Sequence, residues 1–286
     1  MRALVFGGTG FLGRNICEHL KKLDMEVHAV GRDFVLPQFF VPYDFIFFLA
    51  GEVRKQVDMY YTHVELLYKV LCRSLNINCV FVYVGSSSEY GRMDEPMTED
   101  CPINPTNLYD ATKGIGTLMC QGFAREFDRT ILIVRPSSVF GKYERTDKLI
   151  PVIIKKIKNQ EPVDIYPGVH DYVHIDDFVN GIFHILSHVE PDKLKGEIYN
   201  VSSGIQTSNL EIVNTIYDIM GEIPLISSHN EKFHAHDVDQ WIVDSSKLES
   251  LGWKRKYDLY SGLQKTVPEI LDEMSKNTFD KKCRLK

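Results

Sequence analysis

Three residue types in this chain could together hold and protonate a carbonyl oxygen. Tyr109 and Lys113 stand four residues apart, and Ser86 follows a short apolar run upstream of them. On a helix, the i, i+4 spacing places the phenol and the ammonium on one face. Because an ammonium favours the phenolate, we expect Lys113 to lower the pKa of Tyr109 from its usual value of about 10. The alternative interpretation is a turn of small serines beside a surface helix.

A second set of residues predicts a bound dinucleotide. Gly7, Gly10 and Gly13 have G-x-x-G-x-x-G spacing, between an apolar run at 3–6 and an amphipathic run at 11–23. Glycines permit a tight turn and let the backbone approach a pyrophosphate, which binds free N–H groups at a helix N-terminus. A glycine-rich turn without a ligand is the alternative. The predicted cofactor contacts of this segment are Gly7, Thr9, Gly10, Phe11, Leu12, Gly13 and Arg14.

The residues after the second apolar run indicate which cofactor is bound. In folds that bind NAD, an acid at the end of the second strand accepts a hydrogen bond from the ribose 2′-hydroxyl. Here Val30 is followed by Gly31 and Arg32, so a guanidinium comes next and no carboxylate takes that place. A guanidinium suits a 2′-phosphate, and Arg14 could lie beside it, so the sequence favours NADP(H) over NAD(H). Alternatively, Arg32 is a solvated charge and Asp33 binds the ribose.

These residues require a fold that brings strand ends together. Apolar runs without polar alternation occur at 3–6, 27–30, 45–49, 80–84, 131–134 and 198–201, as in strands buried on both faces. Helical patterns lie between them at 11–23, 58–75 and 109–127, and another at 209–220. The alternation predicts an α/β fold, a doubly wound parallel sheet of the Rossmann type with helices on both faces.

Composition excludes several classes of function. The chain has 286 residues, with 33 basic and 39 acidic side chains, so its net charge is −6. This balance lacks the positive surface that binds nucleic acid or an anionic membrane, and no apolar run reaches the roughly 18–20 residues that span a bilayer. The six cysteines show no C-x-x-C spacing. We therefore expect no metal, and reduced thiols in a cytoplasmic protein.

Taken together, the motifs resemble the extended short-chain dehydrogenase/reductase family, in particular its nucleotide-sugar members. The resemblance covers nearly the whole chain and is carried by segments 7–13, 49–51, 86–91, 109–113, 135–141, 171–177, 199–201, 244–247 and 251–253. It implies a catalytic triad of Ser86, Tyr109 and Lys113, in which a one-residue loop shift would exchange Ser86 for Ser87. It also implies that Tyr109 and Lys113 touch the cofactor. Further implied cofactor contacts are Leu49, Ala50, Gly51 and Arg135.

The same triad serves several reactions in that family, so additional groups must distinguish them. Dehydratases that resemble this chain carry a Glu three residues before the glycine that corresponds to Gly91, and reductases that also epimerise carry a Cys there. This chain has Ser88 at that position, and Glu89 is one residue further on. Only 12 residues separate Arg32 from Phe45, where the family normally fits a strand and a helix. Both departures favour a reductase of nucleotide-linked 4-keto-6-deoxy sugars.

The resemblance also locates a substrate site, with departures. An arginine that often helps to bind the nucleotide diphosphate is His170 here, and an expected asparagine is Ser138. The diphosphate still needs cations or N–H donors, for which Lys148, Lys155, His234 and His236 are further candidates. The predicted substrate contacts are Ser87, Ser88, Ser138, Lys148 and His170.

The sequence therefore predicts an NADPH-dependent reductase that acts on a nucleotide-diphosphate sugar at a keto group on C4. The alternatives are a nucleotide-sugar 4-epimerase with retained NAD and a non-catalytic NADP-sensing protein. We expect residues 1–141 and 172–201 to form the dinucleotide-binding domain, and 142–171 and 202–286 the substrate-binding domain. Family resemblance further implies a homodimer through helices 58–75 and 109–127, although core packing explains their apolar residues Leu66, Leu67, Val70, Leu118 and Phe123 equally well.

Overall fold

A six-stranded parallel sheet forms the centre of the protein. The computed structural model describes residues 1–38, 40–52, 55–229 and 240–284. The strands are β1 (Arg2–Phe6), β2 (Glu26–Val30), β3 (Phe45–Phe48), β4 (Val80–Val84), β5 (Ile131–Pro136), β6 (Ser138–Phe140), β7 (Val163–Ile165), β8 (Val169–His174), β9 (Lys195–Val201), β10 (Gln206–Ser208) and β11 (Ile226–Ser228). The central sheet has the strand order β2-β1-β3-β4-β5-β9. All six predicted apolar runs lie in it, which confirms the predicted fold class.

Helices cover both faces of this sheet. They are α1 (Phe11–Lys22), α2 (Gln56–Tyr60), α3 (Leu67–Ser74), α4 (Leu108–Glu126), α5 (Leu149–Lys158), α6 (Ile175–His188), α7 (Asn209–Met220), α8 (Ser246–Glu249) and α9 (Leu259–Arg284). The π-helical segment Tyr61–Leu66 joins α2 to α3 without a break. Along β1, Ala3 and Val5 pack with residues of α1 and α6, whereas Leu4 and Phe6 pack with residues of α3 and α4. Burial on both faces explains why the strands lack polar alternation.

The chain order reverses at β1, which lies between β2 and β3. Ligands of open α/β sheets bind at such a switch point, beside the carboxyl ends of the strands. In the family that the sequence resembles, a further strand and helix follow β2. Here the described residues between β2 and β3 form no helix or strand, and most of them are exposed. The shortened connection leaves β2 at the edge of the sheet.

A smaller layer follows β5. It contains the three-stranded sheet β10-β8-β6 and the two-stranded sheet β11-β7. Its apolar core comes from α5, α7 and α9, with Phe140 at the junction with the central sheet. The predicted helix at 209–220 is confirmed as α7, whereas the long helix α9 was not predicted. The exact division of the chain into two domains stays a prediction.

Candidate functional site

The glycine turn between β1 and α1 is built for close approach. Gly7 has φ +79°, and a Cβ there would lie 2.8 Å from the Ala50 nitrogen. A Cβ on Gly13 would lie 2.0 Å from the Gly7 carbonyl oxygen, so both positions need glycine. Helix α1 begins after Gly10 with no side-chain cap and no acidic residue in its first turn. Its free N–H groups can therefore receive a phosphate, and the turn fits a dinucleotide pyrophosphate.

An ion pair lies beside the glycine turn, where the sequence predicts that the adenosine of a dinucleotide binds. We call this region the adenosine end of the site. Arg32, just after β2, donates from Nη2 to Oε2 of Glu52 over 2.9 Å, which connects the ends of β2 and β3. The Arg32 side chain is 78% exposed, whereas that of Glu52 is 7% exposed. Arg14 donates instead to the Thr9 carbonyl oxygen at 2.9 Å and lies over the Tyr143 ring. The two arginines that the sequence placed beside one phosphate thus have different partners.

Tyr109 and Lys113 lie in the first two turns of α4. Asn107 caps the helix by accepting from the Asp110 N–H at 3.0 Å. The Asp110 carboxylate in turn accepts from Thr106 Oγ1 at 2.8 Å, so the start of the helix is fixed from both sides. Lys113 is buried, and its Nζ donates to the Val84 carbonyl oxygen at 2.9 Å. The helix therefore holds the predicted acid and the ammonium at the carboxyl end of β4.

The serine loop follows β4 and is fixed from below by Glu89. Ser86 caps the short 3-10 helix Ser87–Tyr90, and its N–H donates to Glu89 Oε1 at 2.8 Å. The other Glu89 oxygen accepts from Thr117 Oγ1 at 2.7 Å and from Arg135 Nε at 2.9 Å. Glu89 and Arg135 are both almost fully buried. Glu89 is thus a structural anchor that faces the core, as expected of a residue that does not face the substrate.

Two predicted contacts need correction. Arg135 was expected to touch the cofactor, but it is 1% exposed, bonds Glu89 and lies over the Tyr90 ring. It supports the serine loop from beneath. Ser87 was expected to contact the substrate, but it is buried, whereas Ser86 and Ser88 keep exposed surface and their hydroxyls lie 2.9 Å apart. Ser86 rather than Ser87 therefore keeps an accessible hydroxyl, and that hydroxyl is the one that hydrogen-bonds Tyr109.

Ser86 and Tyr109 are brought together, but the pKa of Tyr109 differs from the expectation. Burial raises the pKa of Tyr109 to about 12, and the hydrogen bond with Ser86 only partly offsets this. Burial therefore moves this pKa in the direction opposite to the one expected. Burial also lowers the pKa of Lys113 to about 8, although the Glu89 carboxylate opposes that shift. At neutral pH the phenol keeps its proton and the ammonium keeps its charge.

A histidine that sequence reasoning missed joins the two ends of the site. His63 is 1% exposed and lies in the π-helical segment. Its Nε2 accepts from the Glu52 N–H at 3.0 Å, and its Nδ1 is 2.8 Å from Thr112 Oγ1. The available signal was a lone histidine in an amphipathic helical pattern, which most often marks core packing.

The remaining predicted substrate contacts lie in the smaller layer or at its border. Ser138 begins β6, just beyond the carboxyl end of β5, and is partly exposed. Lys148 is exposed and precedes α5. Burial raises the pKa of Glu144 to about 8, and the charge of Lys148 opposes that rise. His170 is half-buried in β8 with its ring against Tyr172. His234 and His236 lie outside the described residues. Diphosphate binding by these residues stays a prediction.

The described part of the chain contains no helix long and apolar enough to cross a membrane. Where the structure describes side chains, five cysteines are free thiols, namely Cys17, Cys72, Cys79, Cys101 and Cys120.

Comparisons with known proteins identify relatives of this chain. The chain is 28% identical over 197 residues to the low-salt glycan biosynthesis protein Agl12 of Haloferax volcanii, covering 68% of this chain and 62% of that protein. It is 26% identical over 205 residues to the dTDP-glucose 4,6-dehydratase of Haemophilus influenzae, covering 65% of this chain and 59% of that enzyme. The chain thus spans about three-fifths of the length of each of these relatives.

Solved structures share the fold. The UDP-glucuronic acid 4-epimerase of Bacillus cereus, in complex with UDP-glucuronic acid and NAD, superposes with a TM-score of 0.83 at 22% identity. That match covers 95% of this chain and 99% of the epimerase. Residues 3–202 match the NAD dependent epimerase/dehydratase family. The matched residues include the glycine turn, the serine loop and the start of α4. The chain therefore belongs to the NAD dependent epimerase/dehydratase family.

Proposed function

We propose that this protein is a reductase that transfers a hydride from a nicotinamide dinucleotide to the C4 keto group of a nucleotide-linked 4-keto-6-deoxy sugar. The observation that carries the proposal is the short and mostly exposed connection between β2 and β3, where the adenosine of the cofactor would bind. Between β2 and β3 the described residues form no helix or strand, and Val35 is 86% exposed. A cofactor with a shallow adenosine pocket can exchange at every turnover. A reductase requires that exchange, whereas an epimerase must retain its cofactor.

Glu89 supports reduction over dehydration. A dehydratase needs a base beside the triad to remove a proton from the sugar. Glu89 is fully buried and hydrogen-bonds the Ser86 N–H, Thr117 and Arg135, so its carboxylate faces the core. Ser88, which holds the position of that base, has a hydroxyl that does not ionise near neutral pH. In the serine loop and the first turns of α4, Tyr109 is thus the group that exchanges a proton with the sugar.

The chemistry of the proposed reaction divides between the cofactor and the chain. A reduced nicotinamide, when bound, supplies the hydride. The glycine turn holds the pyrophosphate through its free N–H groups, and Ser86 hydrogen-bonds the keto oxygen of the sugar. Tyr109, which keeps its proton at neutral pH, donates it to the developing alkoxide. The Lys113 ammonium stabilises the phenolate that this step leaves behind.

We propose NADPH as the preferred reductant. Gly31 puts no carboxylate at the end of β2, and the exposed Arg32 guanidinium is within reach of a 2′-phosphate there. Binding of that phosphate would compete with Glu52 for the same guanidinium. With Arg32 held by Glu52, a cofactor without the phosphate can also bind. NADH is therefore the competitor in every test of this proposal.

A 4-epimerase with retained NAD is the second candidate. It rests on the same triad, which serves both reactions, and on solved relatives such as the Bacillus cereus 4-epimerase, whose structure contains NAD. An epimerase would carry its cofactor through purification. It would also invert a nucleotide sugar without any added reductant.

We also propose a homodimer. The expected contacts need revision, because Leu67 and Val70 are buried in the core of one chain. Exposed apolar side chains, here called the apolar stripe, remain on the two helical elements named in the prediction, namely Tyr60, Tyr61, Tyr68, Ile115 and Leu118, with Val57 just before the predicted start of the first. Light scattering of wild type and of Leu118→Glu tests this, since a charge in the stripe should yield monomers. A wild-type monomer would overturn the proposal.

The reductase proposal is tested by absorbance at 340 nm. Purified protein is mixed with NADPH, or with NADH in parallel, and with a panel of nucleotide-linked 4-keto-6-deoxy sugars. Loss of absorbance with one sugar supports the reductase and identifies its nucleotide. No loss with any sugar, in a protein that already contains bound NAD, supports the epimerase. A protein that binds NADPH and reacts with no sugar would support the sensor instead.

A further inference from the structure

We infer that His63 is a positioning residue that sets the catalytic turn of α4 against the cofactor-binding turn after β3. The inference rests on the proposed function for its kinetic test but not for its spectroscopic one. His63 lies between Glu52, which follows the predicted cofactor contact Gly51, and Thr112, which stands between Tyr109 and Lys113. It therefore connects the two halves of the site from inside the protein.

The hydrogen-bond chain has one consistent direction. The Glu52 backbone N–H can only donate, so His63 Nε2 must accept at 3.0 Å and carry no proton. A neutral imidazole then has its proton on Nδ1, which donates to Thr112 Oγ1 at 2.8 Å. The Thr112 hydroxyl proton is left to donate to the Tyr109 carbonyl oxygen at 3.1 Å. Each proton in the chain is specified by the one before it.

The surroundings of His63 keep this arrangement in place. Burial and the charge of Lys113 lower the pKa of His63 to about 3, so the ring stays neutral across the physiological range. The ring meets the Tyr109 ring edge-on, with 5.6 Å between centroids. A Cβ on Gly51 would lie 3.6 Å from His63 Nε2 and 3.8 Å from Lys113 Nζ, so the histidine, the ammonium and the cofactor turn meet at one point.

The local backbone adds an independent observation. The helix from Gln56 to Ser74 is α-helical at both ends but π-helical over Tyr61–Leu66, the segment that contains His63. Single π-helical segments cost regular hydrogen bonding and occur frequently at functional sites. Here the widened turn carries the one side chain of the helix that reaches both Glu52 and Thr112.

The kinetic test uses Thr112→Val, which keeps the shape of the side chain and removes its hydroxyl. We expect kcat to fall roughly 10- to 100-fold through misplacement of Tyr109, with cofactor affinity unchanged. Thr112→Ser should restore most of the rate. His63→Phe should lower kcat similarly and also raise the KM for cofactor, because the Glu52 turn loses its acceptor. The control Thr266→Val removes a hydroxyl that is equally buried but has no hydrogen-bond partner, and it should change neither constant.

The spectroscopic test needs no substrate, so it stands even if the proposed reaction is wrong. In ¹⁵N-histidine NMR, one ring should stay neutral with its proton on Nδ1 down to about pH 4, and its signal should vanish in His63→Phe. The matched control His184→Phe should leave that signal in place. A His63 ring that titrates near pH 6 or carries its proton on Nε2 would overturn the inference. So would wild-type kcat in a folded Thr112→Val variant of an active enzyme.

Discussion

The two ends of the cofactor cleft are built differently. At the catalytic end, Ser86, Tyr109 and Lys113 are fixed by a buried network that includes Glu89 and His63. At the adenosine end, the residues after β2 are mostly exposed, and one ion pair between Arg32 and Glu52 connects the flanking strands. Under the proposed function, this difference means that the groups that act on the sugar are held in place before substrate binds, whereas cofactor selection depends on one partly exposed ion pair. Changes at the first end should affect turnover and stability, and changes at the second should affect cofactor affinity.

The largest expected effect is on turnover at the catalytic end. Tyr109→Phe removes the proton donor and keeps the ring, so kcat should fall about 10²- to 10⁴-fold while the Kd for NADPH stays nearly unchanged. Steady-state kinetics and fluorescence titration of NADPH measure the two quantities. Loss of cofactor binding in this variant would contradict the assigned role.

The next effect is on stability. Glu89→Ala leaves Arg135 buried without its carboxylate, which should cost about 3–5 kcal/mol of the free energy of unfolding. Urea denaturation measures this. As a control, Asp164→Asn breaks the exposed pair with Lys156 and should leave the denaturation midpoint almost unchanged. Equal midpoints for the two variants would mean that the buried network does not support the serine loop.

At the adenosine end, Arg32→Ala should change the discrimination between NADPH and NADH. Loss of a charge-assisted hydrogen bond of about 1.5–3 kcal/mol would raise the KM for NADPH roughly 10- to 100-fold. The KM for NADH should hardly change, because NADH has no 2′-phosphate for the exposed guanidinium to bind. An equal rise for both cofactors would show that Arg32 does not recognise the 2′-phosphate.

The smallest effect concerns pH. Burial lowers the pKa of Lys113 to about 8, so the ammonium is charged below that pH and neutral above it. Since the charge stabilises the Tyr109 phenolate formed in reduction, kcat/KM should decline as pH rises from about 8 to 9.5. Lys113→Met should be slow and lack this decline. A profile that is flat to pH 10 in wild type would separate Lys113 from the proton transfer.

Much of the fold and of the catalytic end could be predicted from the sequence, because both rest on local patterns. Apolar runs predicted all six strands of the central sheet, and the glycine spacing predicted the turn before α1. The i, i+4 spacing correctly placed Tyr109 and Lys113 on one helix.

The rest depends on packing between distant segments, which local patterns do not encode. Arg135 looked like a cofactor contact until its pair with Glu89, 46 residues away, placed it in the core. His63 reaches Thr112 across 49 residues, and no spacing predicts that contact. The pKa of Tyr109 was expected to fall because Lys113 was counted and burial was not. Burial has the larger effect on Tyr109, so its pKa rises.

The central claim is net reduction with a cofactor that exchanges at each turnover. The most direct measurement uses NADPH carrying deuterium at C4 of the nicotinamide, mixed in parallel with nucleotide-linked 4-keto-6-deoxy sugars and with nucleotide sugars that carry a hydroxyl at C4. The proposal predicts one NADPH consumed per sugar, deuterium at C4 of the product sugar, and no NAD(P) left on the protein after gel filtration. Inversion of a sugar at C4 with no NADPH consumed, no deuterium in the product and NAD retained on the protein would contradict it and identify an epimerase.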